Sequence, residues 1–577
     1  MREYDLVIRG GDIVDGSGAD VYRADVAIKG DRIMTVGIVE GTGSEEIDAS
    51  GKIVTPGFVD VHTHYDGQVT WEHQLAPSSD HGITTVVMGN CGVGFAPVRS
   101  SDHQLVIKLM EGVEDIPEIV MSEGVPWNWE TFPEYLAALD KREMDIDFAT
   151  QIPHSPLRVY VMGERGANLE AATDDDLHRM RELTREAIEC GALGVTTSRN
   201  LFHRFRSGKF APSVNTAEDE LLALAGGLKD AGSGVFQLNL NIDAEPEDEV
   251  KIITNLIRQS SRPLNFSLLD LRRRPENWGM FVDALGQAEK EGLPLRGHYP
   301  PRPIGLLFGL DLTLHPFSLN PSFRPLADLP LSEKVARMRD PELRARIIAE
   351  EPEDPNPVFV NMIRNATTLY VLSDPADYFP GAEDMLEAKA KRLGVPFREL
   401  IYDELLNDDG HAILVAANSD VHEYFDKTGD VLDRPNLIMG LGDGGAHYGS
   451  ICDAIYTTYV LTHRLGKQGL TLPKAIKALT SDSAASVGLH DRGLIKPGYK
   501  ADLNVIDINR LTLRRPSMEH TLPAGGKRLV QKAEGYEATI VSGAVTYRNG
   551  QATGALPGRL IRGAKPAPDD RIAVAAE

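Results

Sequence analysis

The sequence predicts an α/β protein: a (β/α)8 barrel of the TIM type carrying a small β-sandwich domain built from the two chain ends. Three observations predict it. Eight short apolar runs alternate with helical stretches through the middle of the chain, the pattern of a parallel sheet covered by helices. Strand-rich texture both opens and closes the chain, and chain termini often lie close together. The 577 residues exceed what one barrel of about 250 residues requires. Strand count does not prove closure, so an open doubly wound sheet is the alternative.

The opening segment reads as short strands: residues 5–9 before Gly10-Gly11, 12–15 before Gly16-Ser17-Gly18, then alternation at Val26 and Ile28 and again at Ile33 and Val36. Residues 501–506 and 538–543 repeat that texture near the other end. Residues 1–56 and 487–556 are therefore assigned to the β domain and 57–486 to the barrel. Candidate barrel strands are 57–64, 84–88, 147–152, 194–198, 235–241, 264–269, 293–298 and 437–443, with helices such as 174–190 and 216–231 between them. Between the last two strands lies a helical insertion, about 306–433. Loops after barrel strands face the active site, so it is expected to form a lid or pocket wall. The tail, 557–577, is rich in Pro, Ala and charge and is expected to be loose or used in oligomer contacts.

Net charge is −25, which disfavours nucleic acid and anionic membrane surfaces as partners. No run approaches the ~20 apolar residues of a membrane span, and no signal peptide is visible. The three cysteines, Cys91, Cys190 and Cys452, are too few for a disulfide framework. A cytoplasmic enzyme acting on a small molecule, assembled as a homo-oligomer, is the expectation.

The strongest chemical signal is Pro56-Gly57-Phe58-Val59-Asp60-Val61-His62-Thr63-His64. Side chains alternate along a strand, so His62 and His64 face the same way at a strand's C-terminal end, where a barrel's metal and substrate sit. The bland alternative is two surface histidines on an edge strand. Asp443 ends an apolar strand and precedes Gly444-Gly445, which presents it rather than burying it in a helix face; Asp-Gly is also a common turn pair.

These motifs resemble those of the amidohydrolase superfamily, in its N-acyl-D-amino-acid deacylase branch. The first-strand stretch resembles the superfamily signature, and Gly82–Gly92, with Cys91, is similar to that branch's second strand. His154–Val159, Gly191–Ser198, Gly440–His447 and Thr480–Ala485 match further segments, so the likeness covers nearly all but the insertion and tail. The resemblance implies Cys91 and Asp443 as metal ligands beside His62 and His64, with Zn2+ suited to a thiolate. A free cysteine is otherwise commonly a small buried hydrophobe. The branch carries histidines on the fifth and sixth strands; here Asn239 and Leu268 stand at the expected places. One ion rather than two is therefore expected, on His62, His64 and Asp443 with water. Asp270 and His298 are possible substitutes for the missing ligands.

The expected reaction is hydrolysis of a linear amide, such as an N-acyl D-amino acid, with Asp443 moving protons and His203 stabilising the oxyanion. Arg199, Arg204 and Arg302 are candidates for a substrate carboxylate, each weighed against a solvated basic loop. His298 and His447 are further substrate-facing candidates. Two rivals stand beside this reading. A cyclic-amide hydrolase of the hydantoinase or dihydroorotase kind usually shows a fourth-strand lysine, absent from 193–198. A catalytically silent scaffold would hold no stoichiometric zinc.

Overall fold

A computed structural model describes residues 2–569, except 215, 271–273, 367 and 430. Eight parallel strands run through the middle of the chain: β1 (Phe58–Asp60), β2 (Ile83–Met88), β3 (Asp147–Thr150, continued by Ile152–Pro153), β4 (Gly194–Ser198), β5 (Val235–Asn239), β6 (Leu264–Ser267), β7 (Leu295–Tyr299) and β8 (Leu437–Met439). Each pairs in parallel with the next. The ring is completed just beyond β8 and β1. Asp443 N donates to His62 O at 3.0 Å, and His64 N donates to Gly444 O at 2.7 Å. On the other side of β1, Thr63 N donates to Val87 O at 3.0 Å. The segments that carry the paired histidines and Asp443 are thus the ones that join the first strand to the last.

The covering helices follow from local sequence. In Asp174–Glu189, Thr173 caps the first turn by accepting from Asp176 N at 3.3 Å. Three aspartates in that turn suit the positive end of the helix dipole. Met180, Leu183, Thr184, Ala187 and Ile188 recur at three- and four-residue spacing and form the buried face.

Both chain ends enter one nine-stranded sheet. Ile53–Pro56 pairs antiparallel with Leu503–Ile506 and parallel with Arg2–Ile13, which knits the two ends together. Pairing runs continuously through the nine strands, and the sheet curls back on itself where Ile33 N donates to Tyr499 O at 3.0 Å. Alternation along Arg2–Ile13 sends Leu6 and Ile8 into one apolar cluster and Val7 into another on the opposite face.

The insertion is not helical throughout, as the sequence led us to expect. Gly305–Phe308, Leu414–Ala417 and Leu369–Val371 form an antiparallel sheet in that order. Helices Leu331–Met338, Pro341–Ala349 and Phe397–Leu405 pack with it around Phe317, Met338, Tyr402 and Leu414. Strands of three or four residues are too short to show a period of two, so periodicity favoured the helices. The tail is docked on the barrel through residue 565. Gly558 N donates to Met144 O, Ile561 N to Phe148 O and Lys565 N to Gly488 O, with Ile561 buried. Residues 570–577 lie outside the described residues. Among the described residues, no helix is long and apolar enough to cross a membrane.

A buried charge cluster joins barrel, β domain and tail. Asp147, at the start of β3, receives Arg492 Nη1 at 2.8 Å, Lys500 Nζ in close contact, and Arg559 N at 3.0 Å. Burial pushes its carboxyl up, but the Lys500 and Arg492 charges outweigh that and hold it below its ordinary range. Removing one partner of a buried pair leaves uncompensated charge. Asp147→Asn is therefore expected to destabilise the fold by about 3–5 kcal/mol, read as a lowered denaturant midpoint. A loss of under about 0.5 kcal/mol, the range of an indifferent surface substitution, would show the cluster to be energetically idle.

Candidate metal centre

His62 and His64 follow β1 on the face that points into the ring, two residues apart, and are buried. Cys91 follows β2 on a short turn with left-handed backbone, φ 55°. Asp443 follows β8, also left-handed at φ 47°. Such backbone costs a non-glycine residue about 1–3 kcal/mol and persists where surrounding structure over-determines it. Gly445 has φ +87°, and a Cβ there would lie 2.8 Å from the His64 carbonyl carbon. The double glycine thus lets the loop press against β1.

Four side chains converge. Cys91 Sγ lies 3.4 Å from His62 Nε2, and Asp443 Oδ1 lies 3.3 Å from His62 Nε2 and 3.5 Å from His64 Nε2. The ligand atoms of His62, His64 and Cys91 all fall within 4.8 Å of one another. The Asp443 side chain is 22 % exposed against 3 % and 1 % for the two histidines, so it is the member open to an incoming molecule.

Each ring and the sulfur has a partner behind it. Glu114 Oε1 stands 3.4 Å from His64 Nδ1, and its other oxygen stands 3.7 Å from His447 Nε2. His447 N also donates to Glu114 O, in a very close contact. His62 is backed by an amide relay. Asn90 gives its amide hydrogens to Thr63 O and Val87 O, at 3.0 and 2.8 Å. Its oxygen accepts from Gln151 Nε2, which also donates to Gln237 Oε1 at 2.7 Å. Gln237 Nε2 then meets His62 Nδ1 at 2.9 Å. The ring's tautomer is coupled to the Gln237 amide: a cation bound through Nε2 goes with the amide oxygen turned toward Nδ1.

Burial dominates the electrostatics. It pushes His62 down to about 4 and the Cys91 thiol up to about 11. It also pushes down His64, but Glu114, Cys91 and Asp443 outweigh it and raise that ring well above its ordinary value. For Asp443, burial pushes up, and the His64 hydrogen bond with the His62 and His64 charges outweighs it, holding the carboxyl far down.

The donor set fits a cation. Two imidazoles, a thiolate and a carboxylate are the ligand types of a borderline-soft divalent ion such as zinc. The buried His64 ring nitrogens face carboxylate oxygens, Glu114 Oε1 at 3.4 Å and Asp443 Oδ1 at 3.5 Å, too loosely for well-formed hydrogen bonds. Binding would also remove the proton from Cys91.

The remaining expected site residues divide into two groups. Among the described residues, His298 is buried with both ring nitrogens unpartnered, and His203 is half-buried with its Nδ1 enclosed and unpartnered. Burial pushes each down to about 3, helped by His64 and His447 for His203 and by His62 for His298. Both rings therefore sit within electrostatic reach of the centre. The arginines are engaged elsewhere. Arg199 Nε pairs with Glu249 Oε1 at 3.0 Å. Arg204 donates to Leu201 O and Gly208 O and covers the Phe210 ring at 3.8 Å. Arg302 is buried against Asp453, with its guanidinium 4.7 Å from the Tyr378 ring centre. For Arg199 and Arg204 the structural role replaces the expected carboxylate-binding one.

Two strand assignments are also corrected. Leu268 points outward into the apolar layer near Leu285, and Ser267 is the inward residue of β6, its hydroxyl donating to Asn239 Oδ1. Asp270 pairs with Lys427 Nζ at 2.9 Å and does not replace a ligand. Sequence reasoning missed Glu114, Gln237 and Gln151. Glu114 carried a signal: it continues the apolar stripe of Ile107, Met110 and Val113 at the end of helix His103–Glu114, where a carboxylate needs a partner.

Residues 45–547 match the model of the amidohydrolase family. An N-acyl-D-aspartate deacylase of Alcaligenes xylosoxydans xylosoxydans is 26% identical over 576 residues, covering 98% of this chain and 96% of that protein. A D-aminoacylase of the same organism is 30% identical over 245 residues, 42% of this chain and 46% of that protein. Among solved structures, an N-acyl-D-glutamate deacylase from Bordetella bronchiseptica, complexed with zinc and a phosphonate inhibitor, is similar with a TM-score of 0.64 at 22% identity, covering 97% of this chain and 100% of that one. A D-aminoacylase with a binuclear metal centre scores 0.63 with the same identity and coverage. The chain belongs to the amidohydrolase family, in its D-aminoacylase-like branch, hydrolases that act on carbon–nitrogen bonds other than peptide bonds.

Proposed function

We propose that this chain hydrolyses the linear amide of an N-acyl amino acid, of the D-series for which its relatives are named, or of a related N-acyl amine. The observation that carries the reading is Asp443 Oδ1 standing 3.3 and 3.5 Å from two buried imidazole nitrogens while its own side chain stays partly exposed.

His62, His64, Cys91 and Asp443 would hold one zinc ion per chain. Bound there, zinc supplies Lewis acidity toward the scissile carbonyl and brings the pKa of water to about 7. Asp443 accepts a proton from the attacking water at its carboxylate and returns it to the departing nitrogen. Water's oxygen forms the new bond to the acyl carbon as the carbon–nitrogen bond breaks, leaving a carboxylate and an amine. Burial keeps His203 neutral, with one N–H to offer the oxygen that gathers charge. His298, enclosed near His62, and His447, held by Glu114, are the remaining candidates for substrate contact. Arg302 is already paired with Asp453, which limits it to a supporting contact with a substrate carboxylate.

Asp443→Asn is expected to abolish turnover, by at least about 100-fold, the usual contribution of general acid–base transfer, while elemental analysis shows zinc largely retained. The assay is a product-resolved screen of N-acyl D- and L-amino acids and cyclic amides. Turnover within twofold of the parent would remove Asp443 from the chemistry, and hydrolysis of cyclic amides alone would move the substrate class. Glu114→Gln removes the charge behind His64 and is expected to weaken zinc retention about 10–100-fold in chelator competition. Unaltered retention would leave Glu114 a packing residue.

A further inference from the structure

We infer that Asn239 is the positioning residue for Cys91, and that it closes the far flank of the sulfur so that the centre takes one cation. This rests on the cation site proposed above. Asn239 ends β5 and points into the ring. Its Nδ2 lies 3.0 Å from Cys91 Sγ. Its Oδ1 accepts from Ser267 Oγ on the neighbouring strand β6, in a very close contact. A thiolate can only accept, so the NH2 group is the end aimed at the sulfur, and the Ser267 hydroxyl, which can donate, takes the amide oxygen.

The sulfur therefore has two distinct flanks. One faces His62 Nε2 at 3.4 Å, toward His64 and Asp443. The other faces amide hydrogens, which have no lone pair to give an ion. A second cation bridged by the sulfur would have to displace that amide. The inward side chains at the ends of β5 and β6, Gln237, Asn239 and Ser267, include no imidazole, thiolate or carboxylate to receive one; the next imidazole, His298 on β7, is paired in register with Ser267 and does not join the converging donors. Among the described residues, one group of three such donors converges, and it is His62, His64 and Cys91.

Asn239 also answers a mechanical problem. Cys91 sits on a three-residue turn with left-handed backbone, anchored by Gly92 N donating to Thr196 Oγ1 at 3.2 Å. Among the described residues, the hydrogen-bond contacts printed for the sulfur come from outside that turn, from His62 and Asn239. The donor from β5 helps set the direction of the side chain, and partners of this kind orient a ligand and tune its donation to the ion.

The test uses full-length protein stripped with a chelator and titrated with Co2+ alone. Uptake is followed by elemental analysis and by the sulfur-to-cobalt charge-transfer absorption, which reports on the sulfur and not on activity. The parent is expected to saturate at one equivalent with that absorption present. Asn239→Leu, similar in size but without a donor, is expected to bind about 10–100-fold more weakly with a shifted or diminished absorption. Ser267→Ala, which frees the amide to turn, is expected to shift the absorption in the same direction and keeps the test open if the leucine variant fails to fold. Two equivalents bound by the parent, or variants with unchanged affinity and absorption, would overturn this inference and leave the proposed hydrolase standing. No cobalt uptake by the parent would overturn both.

Discussion

The hydrogen bonds that close the barrel are also the ones that build its candidate centre. His62 O, His64 N, Asp443 N and Gly444 O form the seam between first and last strands. Because backbone pairing sets the strand register, it also sets the separation of the three side chains it carries. A ring of eight strands has no free edge, so this register cannot slip without opening the fold. The centre therefore inherits its precision from the scaffold and not from flexible loops.

Cys91 joins that seam from the next strand. Asn90 ties Thr63 O and Val87 O together through one side-chain amide, locking the ends of β1 and β2 immediately before the cysteine. The left-handed backbone at Cys91, Asp443 and His447 marks places where the chain leaves regular strand geometry around the candidate centre. Strain of this kind survives because paired strands on both sides hold it.

Around the four converging groups lies a shell whose members arrive from distant parts of the chain. Glu114 comes from the helix after β2, Gln151 from β3, Gln237 and Asn239 from β5, and Ser267 from β6. Their chemistry differs: a carboxylate behind His64, an amide behind His62, and an amide donor on Cys91. Each of the four groups thus sits in a different electrostatic setting, although all lie within a few ångströms.

The sequence by itself determined the alternation of strands and helices, the meeting of two chain ends, and the His62, His64 and Asp443 candidates. These are local signals: a period of two along a strand, a paired glycine after an aspartate, apolar spacing on a helix. Part of the insertion escaped because strands of three or four residues carry no readable period. Only the tertiary structure decided that Ser267 and not Leu268 faces inward, that Arg199 and Arg204 belong to structural contacts, and that Glu114 stands behind two histidines. Those outcomes depend on which partner lies across the ring or on the neighbouring strand, and residues separated by tens to hundreds of positions meet through packing that no local pattern encodes.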